Sequence, residues 1–128
     1  MIIDNNLKKI IAEYDLGLPN CHMNNINIGE KLNSDSKFPL LYISECRNLH
    51  RCFIINIKND LSGFNIIQTI TFKSNYYFSG CKKSFDWFVY DNYIYAFGNT
   101  GIEGEIEIVK FKMPPLYKKE YVFTDDDV

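Results

Sequence analysis

Four cysteines and two histidines carry whatever nucleophilic, metal-binding or imidazole chemistry this chain has: Cys21, Cys46, Cys52, Cys81, His22 and His50. Cys46, His50 and Cys52 lie close together, and Cys21-His22 would complete a tetrahedral set for zinc. Structural zinc draws on paired CxxC or HxxxH spacings, and Cys46-x3-His50-x-Cys52 follows neither. Buried, unpaired thiols behaving as small hydrophobes fit better, so no metal and no cofactor is expected. A histidine general acid or base would have to be His22 or His50. Cys–His catalysis would need the fold to carry a thiol beside one of them. Gly98-x-x-Gly101-x-x-Gly104 has glycine spacing, but it falls between expected strands, where turns explain it better than a phosphate loop. No catalytic residue is assigned, and the chain is read as a non-enzyme.

Binding chemistry is better represented. Glu103, Glu105 and Glu107 alternate, so on a strand they would line one face roughly 7 Å apart. Neighbouring lysines would make this an ordinary solvated face; without them it is a carboxylate row suited to a basic partner. The stretch from Tyr76 to Phe97 holds ten aromatic residues, too many for the core of a sheet covered on one side. Some rings are expected at the surface, where Tyr and Trp anchor interfaces. Trp87 and Tyr93 are the candidate anchors. Exposed rings also stack on sugars or bases, but a basic groove for nucleic acid is missing.

The elements that position these residues follow from composition and periodicity. With 128 residues and 15.0 kDa, the chain is long enough for one domain with its own core. A hydrophobic fraction of 46% and an aromatic fraction of 16% exclude a disordered chain. Ile occurs 17 times and Ala only twice, which favours strands over an all-helical fold. The net charge of −2 resides in a tail, since without Asp125, Asp126 and Asp127 the remainder carries +1. Neither nucleic acid nor membrane is therefore an expected partner, and no apolar run approaches the ~18 residues that span a bilayer. The N-terminus, Met-Ile-Ile-Asp-Asn-Asn, lacks the basic and apolar regions of a signal peptide, so a cytoplasmic location with reduced thiols is expected.

Along the chain, the spacing predicts a helix over 4–15, capped by Asp4 or Asn5, with Leu7, Ile10, Ile11 and Tyr14 as its apolar stripe. Gly17 and Pro19 would stop it. Residues 19–39 form a long polar connection, containing either a brief strand at Ile26 and Ile28 or a helical turn from Gly29. From 40 to 123 strand follows strand. Phe53, Ile55 and Ile57 share a face; Phe64, Ile66, Ile70 and Phe72 share another, interrupted by Gln68. Asp60–Gly63 is a turn, and Asp91-Asn92 suits a type I′ hairpin. The apolar phase moves from Ile106 and Ile108 to Val109, Phe111 and Met113, which predicts a β-bulge. Residues 124–128 are expected to fray. The expected fold is a single α+β domain, mostly β, with the N-terminal helix packed on an antiparallel sheet of about six or seven strands.

Three segments, the meander SFDWFVYDNYIYAFG, the strand EGEIEIVKFK and the helix at 4–15, give a layout that resembles the immunity proteins of bacterial contact-dependent growth inhibition systems. The resemblance is one of size, composition and layout. It implies an inhibitor that binds a cognate toxin domain, often a nuclease, and blocks its active site in the cytoplasm. Glu103, Glu105 and Glu107 would then enter a basic cleft, with Trp87 or Tyr93 as hydrophobic anchor. A body charge of +1 departs from the acidic surface expected of a nuclease inhibitor. The competing expectation is a small β-rich ligand-binding or enzymatic domain using His22 or His50. A self-associating subunit with an exposed aromatic edge is a third.

Overall fold

The computed structural model describes residues 1–18, 23–45, 50–73, 85–99 and 102–127. Ten strands account for nearly all the regular structure: β1 (Ile2–Asp4), β2 (Lys9–Ala12), β3 (Met23–Lys31), β4 (Pro39–Glu45), β5 (His50–Ile57), β6 (Phe64–Phe72), β7 (Phe85–Tyr90), β8 (Tyr93–Asn99), β9 (Ile106–Lys112) and β10 (Glu120–Phe123). The only helical turn among the described residues is the short 3-10 segment Asp125–Asp127. Its Asp127 carboxylate accepts from the Thr124 N–H at 2.8 Å.

The expected α+β fold is thus corrected to an all-β one, and no helix forms over 4–15. Asp4 Oδ1 does accept the N–H groups of Asn6 and Leu7, at 2.8 and 2.9 Å, as a helix cap would. The chain then turns back through Lys8 at a φ of 52°, and β1 pairs antiparallel with β2. β-Branched Ile2, Ile3, Ile10 and Ile11 suit this hairpin better than a helix. Of the predicted stripe, Leu7, Ile10 and Ile11 are exposed. Tyr14 alone packs inward, donating its hydroxyl to the Leu61 carbonyl at 2.8 Å.

The central sheet has the order β10-β6-β5-β4-β3, antiparallel except for β10, which runs parallel to β6. The segment that suits either a brief strand or a helical turn is the nine-residue β3. β5 lies in the middle and is apolar on both sides. Cys52 and Ile54 point to one face, and Phe53, Ile55 and Ile57 to the other, as their spacing predicts. Against the first face packs a three-stranded sheet, β7-β8-β9. It contributes Trp87, Ile94, Ala96, Val109 and Phe111 to a core shared with Leu40, Tyr42, Ile70, Phe72 and Phe123. The second face is covered in part by Ile2, Tyr14, Leu16 and Leu18.

Two irregularities run opposite to expectation. In β6, Ile54 faces Gln68 while Ile55 faces Ile66, so Ile67 is an extra residue. This bulge reverses the phase, turning Ile67 toward the inter-sheet core and leaving Ile66 exposed. In β9, where the phase predicts a bulge, the pairing with β8 is continuous from Ile106 to Lys112. Its apolar residues simply occupy both faces.

Polar groups inside the fold latch segments together. The Gln68 amide, fully buried, donates to the carbonyls of Pro115 and Lys118, both at 2.9 Å, fixing the crossover between β9 and β10. The Glu45 carboxylate, 1% exposed, pairs with Arg51 Nε at 2.6 Å. A buried carboxylate left without such a partner is strongly destabilising.

Candidate interaction surface

Alternation assigns every residue of the small sheet to one of two faces. Trp87 opposes Ala96 and Val89 opposes Ile94, facing inward, so Phe88 opposite Tyr95 and Tyr90 opposite Tyr93 face outward. On β9 the same rule sends Val109 and Phe111 in and Ile106, Ile108, Lys110 and Lys112 out. The hairpin that sets this register turns at Asp91 and Asn92, whose φ values of 47° and 63° are those of the expected type I′ turn.

The outward face is far from an ordinary wet one. Tyr90, Ile106 and Ile108 are each 70% exposed or more, and Phe88 is 41% exposed. Tyr93, Tyr95 and Phe97 lie half-buried between them. The rings mostly satisfy one another. Phe88 stacks on Tyr95 with centroids 5.0 Å apart and planes 9° from parallel. The Lys110 ammonium stands 4.0 Å above the Tyr93 ring, a contact worth about 0.5–1 kcal/mol at an exposed site. One ring face each of Phe88, Tyr95 and Tyr93 is occupied in this way, while Tyr90, Ile106 and Ile108 remain exposed. Isoleucine methyls set among the rings make this a contiguous apolar surface of the kind that meets other proteins. Lys110 and Lys112 give it a basic margin.

The predicted site residues are dispersed. Trp87, expected as an anchor, is 1% exposed and packs edge-on against Phe72 and Tyr42, with centroids 5.9 and 6.5 Å away. It is a core residue and reaches no partner. Tyr93 does lie on the outward face, beneath Lys110. The carboxylate row is not built on one strand, because β9 begins at Ile106. Glu103 and Glu105 belong to the turn before it, which contains Gly104 at a φ of 82° and is closed by the Glu105 N–H on the Ile102 carbonyl at 3.1 Å. Glu107, on the strand, faces the opposite way from Lys110. Of the residues that form the surface, Phe88 and Tyr90 follow from alternation with Trp87 along β7, whereas Ile106, Ile108 and Lys110 depend on the β9 phase, where a two-faced strand has the same pattern as a bulge.

A second feature adjoins this face. An open cleft of about 1200 Å³ separates the two sheets at the end carrying the Asp91-Asn92 turn. Leu40, Tyr42, Val89 and Met113 form its floor, and Glu30, Lys31, Lys112 and Lys118 stand around it. Burial, then neighbouring Cys52 and Glu30, hold the Tyr42 hydroxyl above its usual pKa range. β3 passes so close over this ring that a Cβ at Gly29 would overlap it. His50 is at the other end of the sheet, paired with Phe72, and takes no part in the cleft. His22, Cys21, Cys46 and Cys81 lie outside the described residues. Among the described residues no group of His, Cys, Asp or Glu could hold a metal ion, and no helix is long and apolar enough to cross a membrane.

Compared with models of protein families, with curated proteins and with solved structures, the chain matches none.

Proposed function

We propose that this protein acts by binding another protein through the outward face of β7, β8 and β9. The observation that carries this reading is the run of exposed apolar residues Phe88, Tyr90, Ile106 and Ile108 on one face of the small sheet. Contiguous apolar surface of this kind marks interaction sites, and ring edges with methyl groups match another protein's apolar surface. Lys110 and Lys112 favour a partner with carboxylates beside that surface, because complementary charge sets register and speeds encounter.

In the form the resemblance implies, the protein is an immunity protein that neutralises a cognate toxin domain in the bacterial cytoplasm. Two segments behind the resemblance, the meander and the strand after it, are β7, β8 and β9 themselves. The basic margin points to a toxin surface carrying acidic groups, in place of the basic nuclease cleft that the glutamates would have entered. Coexpression with the toxin domain encoded beside its gene tests this. Wild-type protein is expected to protect cells and to co-elute with the toxin. Phe88→Asp with Tyr90→Asp, which add charge to the face without touching the core, should abolish both while the thermal melt is retained. Full protection by that double variant would defeat the proposal.

A further inference from the structure

The two faces of the central sheet are covered by different means. The first meets the β7-β8-β9 sheet, whose Trp87, Ile94 and Ala96 are 1% exposed or less. The second is covered in part by residues 1–18, and not one of those residues is itself buried. Tyr14, Leu16 and Leu18 are half-buried against the sheet, while Glu13, Asp15 and Gly17 between them are exposed. The segment thus lies extended, with every second side chain turned inward.

Side chains do almost all the holding. β1 and β2 pair with each other and with no other described strand. Residues 13–18 belong to no strand, and no backbone hydrogen bond joins them to another described segment. The Gly17 N–H donates to the Asp15 carboxylate at 2.8 Å, a bond within the segment itself. The polar tie to the rest is the Tyr14 hydroxyl, which donates to the Leu61 carbonyl at 2.8 Å. The same ring meets Phe64 edge-on, with centroids 5.7 Å apart. β5 beneath is hydrogen-bonded to a strand on each side. A segment with few buried contacts and a solvent-exposed backbone lies at the low end of local stability, and a doubly paired central strand lies at the high end.

We infer that residues 1–18 form a strap, latched by Tyr14, that opens as a unit while the two-sheet core stays folded. Opening uncovers part of a second apolar face, that of Ile43, Phe53, Ile55 and Ile57, each 6% exposed or less when the strap is closed. Phe88 and Tyr90 are exposed in the closed fold; these four become so only when the strap lifts. The inference stands apart from the partner-binding reading, which concerns the outward face of the small sheet.

Thiol labelling of the full chain is the test, with Ile57→Cys as the probe. Position 57 lies opposite Phe64, the ring that Tyr14 meets. Cys52 lies on the other face, between the two sheets, and reports global unfolding in the same molecule. Iodoacetamide under native conditions, read by mass mapping, is expected to modify position 57 at least about tenfold faster than Cys52, since partial opening is more populated than global unfolding. Ile94→Val loosens the inter-sheet core in the closed and open forms alike. It should therefore raise Cys52 labelling about twofold to tenfold and leave position 57 unchanged. Tyr14→Phe removes the tie to Leu61 from the closed form alone, and should raise labelling at both positions about twofold to tenfold. In the chain without the probe, hydrogen exchange in β1 and β2 should exceed that in β5 and rise by the same factor in Tyr14→Phe. Thermal melts confirm that each variant folds. Position 57 labelled no faster than Cys52, or accelerated by Ile94→Val as much as Cys52 is, overturns the inference, because the face then opens only by global unfolding. A position 57 rate unchanged by Tyr14→Phe overturns it too, since the latch then holds nothing.

Discussion

The two faces of the β7-β8-β9 sheet are built from the same strands and the same residue types, yet they have opposite fates. Inward, Trp87, Ile94, Ala96, Val109 and Phe111 are all 5% exposed or less. Outward, Phe88, Tyr90, Ile106 and Ile108 are exposed, although a Phe or Ile there is as apolar as its neighbour one residue away. The difference lies in what stands opposite. The inner face meets Leu40, Tyr42, Ile70 and Phe72 of the central sheet, and burial removes its surface from water. Nothing among the described residues covers the outer face. Contiguous exposed apolar surface of this kind is characteristic of interaction sites, because its hydrophobic stabilisation is still to be gained.

Truncation on each side breaks the comparison most directly. Trp87→Ala should lower unfolding free energy by about 3–5 kcal/mol, the usual cost of an emptied aromatic site in a core. Phe88→Ala should cost about 1 kcal/mol or less, mostly its stacking with Tyr95. Urea denaturation of the two variants measures both, and equal losses would mean that the outer face is structural after all. The Trp87 indole N–H is buried without a hydrogen-bond partner among the described residues, so Trp87→Phe is expected to be milder than its volume change alone predicts.

The next effect concerns Gln68, whose fully buried amide lies on the face that meets the small sheet. Gln68→Leu keeps much of the volume but leaves the Pro115 and Lys118 carbonyls without their donor. A loss of about 1–3 kcal/mol is expected, with faster hydrogen exchange at Thr69, whose N–H bonds to the Lys119 carbonyl. A variant as stable as the wild type would show that β10 is held by its strand pairing alone.

The smallest effect is a slope with pH. Burial raises the Cys52 thiol well above its ordinary value of 9.0, opposed by a lesser backbone hydrogen bond from Ile43. The folded state therefore keeps a proton that the unfolded chain releases, and stability from this group falls as pH climbs past 9.0 toward the folded value. Cys52→Ala should flatten that part of the stability curve. Mass mapping after iodoacetamide treatment should find Cys52 unmodified in the native protein and alkylated in urea; native alkylation would show that the inner face opens to solvent.

Local signals hold wherever one physical rule governs them. Asp91 and Asn92 tolerate positive φ and make the expected hairpin, and Phe53, Ile55 and Ile57 keep their face because β5 is regular. Gly17 has the positive φ of 65° expected of it, though in a loop and not after a helix. Failures come where two structures share one signal. Leu7, Ile10, Ile11 and Tyr14 satisfy helical spacing, and Asp4 makes the bonds of a cap, but the same residues close a hairpin. The phase change at Ile108 and Val109 is the mark of a bulge or of a strand apolar on both sides, and Gln68 gives no hint that the bulge is in β6.

By itself, then, the sequence determined a β-rich single chain, most of its strands, its turns and the alternation that divides each strand between two faces. Those are local consequences of backbone sterics and side-chain type, complete within a few residues. Only the tertiary structure decided which face is core and which is surface, that Trp87 is buried while Tyr90 is not, and that Glu103 and Glu105 fall short of the strand. Burial depends on residues far along the chain, and no spacing within one strand records what will be packed against it.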